Sequence, residues 1–199
     1  GQRGRRTETG GDKTDITPVS LAGCSLAAGR VSEMACFTCS SCGKVHDGLA
    51  ALTFHAPAPY DWATPEERAG DWVLQSDFCR FKDVDFYVRC VLVLPIIGSD
   101  QTLEFGAWST LSKTNIDRYW DTFEDADQSK LGVMFGYFAN AIPGYPQTTA
   151  LMCDVVPQDD RQRPLIKLHE ADHPLAHHQR NGISFDEAMA YYHAHMAQH

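Results

Sequence analysis

The stretch from Asp85 to Leu94 constrains this chain more than any other. It reads Asp-Phe-Tyr-Val-Arg-Cys-Val-Leu-Val-Leu, with Phe86, Val88, Cys90, Leu92 and Leu94 on one face of an extended strand. Tyr87, Val91 and Val93 make the opposite face largely apolar as well. A strand apolar on both sides belongs in the middle of a covered sheet. Pro95 and Gly98-Ser99-Asp100 end it and turn the chain. Leu103 to Leu111 follows as a second strand after a short turn, which predicts an antiparallel hairpin.

Around this hairpin the pattern alternates between strands and helices without regular β-α-β spacing. Thr64-Pro65-Glu66-Glu67 has the form of a helix start, with Thr64 as N-cap and Pro65 at the first helical position. A helix opening at Thr114 carries Ile116, Tyr119, Trp120 and Phe123 as one apolar stripe against the sheet. The segment 132–140 reads equally as strand or helix. Pro143-Gly144-Tyr145-Pro146 is a turn, and 149–156 and 165–169 read as further strands. Two helices close the chain, one over 174–181 stopped by Gly182, the other opened by a capping box at Ser184 and Glu187. The expectation is an α+β fold, a mainly antiparallel sheet with helices packed on it and an N-terminal cysteine zinc knuckle.

That knuckle is Cys36-Phe37-Thr38-Cys39-Ser40-Ser41-Cys42-Gly43-Lys44-Val45-His46. A C-x-x-C turn delivers two sulfurs to one side of a zinc ion because the chain reverses between them, and Gly43 suits the backbone after the second sulfur. Cys36 and Cys39 form an overlapping C-x-x-C, so only one pairing supplies the half site, and Cys39 with Cys42 is the favoured one. No second C-x-x-C completes it; His46, His55, Cys79 and Cys36 are the candidates for the remaining positions. The competing readings are buried or reversibly oxidised thiols without metal, and a catalytic thiol–disulfide pair. The last is weak because no helix of a β-α-β unit opens at this turn.

Composition removes several classes of function. The formal charge is −9, from 26 acidic against 17 basic side chains, so the overall field repels phosphate backbones and no nucleic-acid partner is expected. No apolar run approaches the about 18 residues needed to span a bilayer, so no membrane role is expected. Seven cysteines, three of them crowded into the knuckle, suit metal ligation in a reducing compartment, which points to the cytoplasm. Residues 1–33 have no aromatic residue and read as a disordered leader or a non-native extension, with one α+β domain over 34–199. Leu21-Ala22-Gly23-Cys24 resembles a lipoprotein cleavage box and Arg5-Arg6 a twin-arginine signal, but neither is accompanied by the apolar segment it needs.

His169-Glu170-Ala171-Asp172-His173 matches H-E-x-x-H, the zinc-protease pattern in which one helix presents both imidazoles. Pro174 directly follows the second histidine and 164–168 alternates like a strand, so the pattern straddles a corner and is declined. His177, His193, His195 and His199 add to a histidine-rich surface.

From Cys36 to about Ser184 the chain resembles the prokaryotic family called domain of unknown function 2199. The residues that carry the likeness are Cys39-Ser40-Ser41-Cys42-Gly43-Lys44-Val45-His46, Asp85-Phe86-Tyr87-Val88-Arg89, Pro95-Ile96 and Gly106-Ala107-Trp108-Ser109-Thr110-Leu111-Ser112. Pro143-Gly144-Tyr145-Pro146, Arg163-Pro164 and Asp172-His173-Pro174-Leu175-Ala176 with Gln179 and Gly182 complete it. The resemblance implies a domain starting near Met34 and picks Cys39, Cys42 and His46 over Cys36 and His55 as the shared positions of the knuckle, with a cysteine also near Cys79; read with the C-x-x-C turn, these four are the expected ligands of a structural zinc. It implies no activity. The expected function is a zinc-stabilised interaction or binding domain, with an unidentified protein or small-molecule partner and Trp108 and the Pro143–Pro146 turn as candidate groove residues. The alternatives are a thiol redox protein or a hydrolase, zinc-dependent or acid–base, assembled from Arg89, Asp172 and His173.

Overall fold

The computed structural model describes residues 36–38, 45–47, 49–169 and 172–197. Residues 1–33, with the leader read there, lie outside them. In chain order the elements are β1 (Cys36–Thr38), β2 (Val45–Asp47), β3 (Leu52–Thr53), α1 (Ala58–Trp62), α2 (Pro65–Asp71), β4 (Trp72–Leu74) and β5 (Phe78–Phe81). Then come β6 (Asp85–Pro95), β7 (Thr102–Leu111), α3 (Lys113–Asp121), a 3-10 turn at Gln128–Leu131, β8 (Met134–Tyr137), β9 (Met152–Val156), β10 (Leu165–Leu168), α4 (Pro174–Asn181) and α5 (Phe185–Met196). The fold is α+β.

β6 and β7 form the expected hairpin and run side by side along their whole lengths, from Phe86 opposite Leu111 to Pro95 opposite Thr102. Phe86, Val88, Cys90, Leu92 and Leu94 are buried on one face, together with Leu103, Phe105 and Ala107 across from them. Each of the Val, Leu and Phe side chains fully removed from water here contributes roughly 1.5–3 kcal/mol, so this face is a large part of the stability. Among the described residues eight strands make one sheet, ordered β3-β7-β6-β10-β9-β8, with β4 and β5 extending it from the first half of β6. The pairing is mainly antiparallel, as expected. β10 against β6 and β3 against β7 are the parallel exceptions.

The sheet curls until its end meets its middle. Phe138, directly after β8, bridges Ser109 in β7, and the Ala139 N–H donates to the Trp108 carbonyl at 2.8 Å. Gly136 permits this closure, since a Cβ there would collide with the Thr110 carbonyl oxygen and the Ser109 hydroxyl. That settles the ambiguous stretch before the Pro143–Pro146 turn as strand.

β6 also changes partner along one edge. β5 holds its first half, up to Phe78 opposite Val88, and β10 takes over at Leu165 opposite Val91. β10 then diverges, and α4 reaches into the gap. The Gln179 side-chain amide accepts from the Leu168 N–H at 2.8 Å and donates to the Ile166 carbonyl at 2.6 Å, doing what a neighbouring strand's peptide would do.

Local caps follow the sequence closely. Thr64 with Glu67 and Ser184 with Glu187 form complete capping boxes. Gly182 ends α4 at φ 82°, a conformation that favours glycine, and its own site leaves no room for a Cβ beside the Pro95 carbonyl. Two expectations shift. α3 starts earlier than Thr114, because Ser112 is the N-cap and accepts from the Asn115 N–H. β9 starts later than Thr149, because Ala150 takes a positive φ of 67° and Thr148 is committed to the Asn140 carbonyl and the Ile142 N–H.

Candidate functional site

Of the expected zinc ligands, Cys39 and Cys42 lie outside the described residues, as does the side chain of His46. The backbone on either side is described: β1 and β2 pair with Thr38 opposite Val45, so the C-x-x-C segment joins the two strands of an antiparallel hairpin. Cys79 sits in β5, paired with Leu74 and Tyr87, and is 3% exposed. Burial, with the nearby Asp61 charge adding to it, pushes its thiol up to about 12. Without a metal it is a neutral, inert thiol; a bound zinc would reverse that by stabilising the thiolate. Among the described residues no group of three or more His, Cys, Asp or Glu is placed to hold a metal ion.

The H-E-x-x-H pattern is split as expected. His169 follows β10 and its Nε2 meets Asp154 Oδ1 at 2.8 Å, whereas His173 is the N-cap of α4, its Nδ1 accepting from the Leu175 N–H. The helix begins only after the second histidine. Arg89 and His173 are likewise not brought together by any hydrogen bond, ion pair or ring contact among the described residues. Arg89 packs over the Trp108 ring at 5.7 Å and donates to the Ser76 carbonyl at 3.2 Å.

Trp108 lines no groove. It is fully buried, with Nε1 donating to the Phe54 carbonyl at 3.2 Å and its backbone N–H donating to Asn140 Oδ1 at 2.7 Å. The Pro143–Pro146 turn is a latch: Tyr145 stacks on Tyr191 of α5 at 4.3 Å, and its hydroxyl meets His178 Nδ1 of α4 at 2.8 Å. Burial drives the Tyr145 hydroxyl far up, with Tyr191 and Glu187 adding to it, so it stays a neutral hydroxyl.

A concavity lies elsewhere, between the β4–β5 ribbon and α3. It measures about 310 Å³, and its floor is apolar: Val73 and Phe78 from the ribbon, Phe86 from β6, Ile116 and Trp120 from α3. Strand alternation explains the floor. Val73 pairs with Arg80 and Phe78 with Val88, so these side chains share the face on which α3 lies. Phe78 meets the Trp120 ring edge-on at 4.6 Å and the Phe123 ring at 4.9 Å. Trp120 is 54% exposed, so it forms a wall of the cleft and is not buried with the rest of the stripe expected for α3.

The rim is charged and balanced. Arg80 pairs with Asp83 at 2.5 Å and Lys113 with Asp117 at 2.6 Å, while the Lys113 ammonium lies 5.7 Å from the centre of the Phe86 ring. All four charged side chains are exposed, so each pair contributes little to stability and is free to exchange partners. Little in the sequence marked this cleft. β4 and β5 are too short to carry a periodic signal, and only the polar Gln75-Ser76-Asp77 break between two aromatic clusters hints at a hairpin.

Fold and cleft together define a small curled α+β sheet domain with a shallow, apolar-floored cleft beside α3. A model of the family described as an uncharacterised protein conserved in bacteria, DUF2199, matches residues 38–183, and the chain belongs to that family. Neither the curated proteins nor the solved structures contain a match. No helix among the described residues is long and apolar enough to cross a membrane.

Proposed function

We propose that this protein is a zinc-stapled binding domain that seats a small ligand with a flat apolar body between the β4–β5 ribbon and α3. The observation that carries the reading is the half-exposed Trp120 standing edge-on to Phe78 above an apolar floor. A large aromatic left open beside a fully packed core is what a ligand cavity of this size offers. The staple is supported by the hairpin pairing of β1 with β2, which brings the two ends of the Cys39–Cys42 segment side by side. Cys39, Cys42, His46 and Cys79 are its ligands in this reading. The thiol redox alternative gains nothing from the described thiols, since Cys79, Cys90 and Cys153 are all buried.

Titration with phenol and benzyl alcohol, followed by amide and indole NMR shifts, tests the cleft. Saturable shifts confined to Phe78, Ile116 and the Trp120 indole are expected, and shifts that scatter over the surface without saturating would end the reading. Elemental analysis tests the staple: zinc at one per chain, lost together with thermal stability in a Cys39→Ser, Cys42→Ser double variant. A double variant with unchanged zinc and unchanged Tm removes it.

A further inference from the structure

A second site lies where β6 changes partner. The Arg89 N–H donates to the Asp77 carbonyl at 2.9 Å, and the Val91 N–H donates to the Pro164 carbonyl at 2.8 Å, so the ends of β5 and β10 meet against neighbouring residues of β6. Three charged side chains gather at this fork. Arg163 Nε donates to Asp77 Oδ1 at 2.7 Å, and Arg89 is held between the Ser76 carbonyl and the Trp108 ring. One carboxylate, ion-paired with Arg163, thus sits near two guanidinium groups, in a protein whose overall charge is strongly negative. Burial depresses the Arg89 pKa and the Arg163 charge depresses it further, as expected for two cations held close together.

The donors are not used up. Arg89 Nε is buried and takes no hydrogen bond among the described residues. Among the described residues Arg163 is hydrogen-bonded through Nε, so the two terminal nitrogens of its fork are available to a ligand. Next to them is an open cavity of about 360 Å³, floored by Val91, Val93 and Leu165 and bordered by Arg163, Gln158 and Gln162. Those apolar residues share one face of the sheet, since Val91 is opposite Leu165 and side chains two apart on a strand point the same way. Glu104, paired with Val93, also borders the cavity and disfavours a second negative charge.

We propose that the Arg163 fork and the Val91–Val93–Leu165 floor form a binding site for a short aliphatic monocarboxylate. The carboxylate takes both terminal nitrogens of Arg163, as the planar fork is shaped to do, and so relieves the excess positive charge it shares with Arg89. The alkyl chain lies along the valines. Asp77 holds the guanidinium in place from behind and is a positioning residue.

Hexanoate is the probe, with hexan-1-ol and hexylamine as controls of the same length and inorganic phosphate at matched ionic strength. Saturable amide shifts at Val91, Val93 and Leu165 with hexanoate alone are expected. Arg163→Gln should raise the hexanoate Kd by about tenfold or more, and Arg163→Lys by less, given the strength of a bidentate charge-assisted pair. Circular dichroism and the cleft's response to phenol report whether each variant is folded. A Val93→Asp variant, away from the ion pair, should abolish binding with the fork intact. The proposal is overturned if hexanol or hexylamine shifts the same amides equally, if phosphate competes as well as hexanoate binds, or if folded Arg163→Gln binds hexanoate unchanged.

Discussion

Helices α3 and α4 both lie on β6, yet they treat it differently. α4 fills its side: Leu175 and Ala176 are wholly buried, and Gln179 completes the hydrogen bonding of β10. α3 buries Ile116 and Tyr119 but holds Trp120 half out of the sheet, leaving a cleft in front of Phe78. One contact surface has been closed by packing and the other left open. The contrast separates side chains that maintain the fold from side chains available to a ligand.

The sharpest way to break that contrast is on the closed side. Leu175→Ala should cost about 2–5 kcal/mol in urea unfolding, because the surrounding core closes only partly over the space left behind. Gln179→Ala should cost about 1–3 kcal/mol, since the Leu168 N–H and Ile166 carbonyl lose their partner inside the protein. Hydrogen exchange should show that amide of β10 losing protection first.

At the fork the effect depends on pH. Burial acts to raise the Asp77 pKa, but hydrogen bonds from Arg163 and Ser76 and the charges of Arg163 and Arg89 outweigh it and hold the carboxyl below the usual range. The unfolded chain therefore takes up this proton first. The stability Asp77 contributes is fully present above the ordinary aspartate pKa and is lost as the pH falls through the folded value. Urea unfolding at pH 5 and pH 3 should show a shallower acid loss in Asp77→Asn than in the parent protein. An unchanged slope would mean that Asp77 is not held by the arginines in solution.

On the open side the stability effects are smaller. Trp120→Ala should change stability by about 1 kcal/mol or less, as over half of the side chain is already in water, while removing the saturable response to phenol. Lys113→Ala should cost about 0.5 kcal/mol or less, the usual worth of an exposed i,i+4 pair. If Trp120→Ala destabilised the fold as much as Leu175→Ala does, the two sides would not differ in kind and the cleft would be ordinary core.

The closed side was largely legible in the sequence. Ser184 with Glu187, Gly182 and the two-faced apolar run before Pro95 each encode local geometry directly, and each forms as its residues dictate. The open side was not. β4 and β5 are held by pairing to β6, and Lys82 adopts a positive φ of 51° on the way between β5 and β6, so nothing local announces them. Trp120 was read as core because the helical spacing of apolar residues says which way a side chain points and nothing about whether a strand reaches it. The fork was equally hidden: Arg89 and Arg163 are far apart in the chain, and only the parallel return of β10 brings them together.

The ring closure at Gly136 has a consequence for life in a crowded solution. β8 would otherwise be a bare margin of the sheet, with its peptide groups offered to any extended chain that came by. Turned back on β7, its end is already engaged, through Tyr137, Phe138 and Ala139. Among the described residues, two other margins of this sheet, β3 and β4, are only two and three residues long. Strands that short give an invading segment too few rungs to climb, so the protein carries a broad sheet through its surroundings without acting as a template for its neighbours.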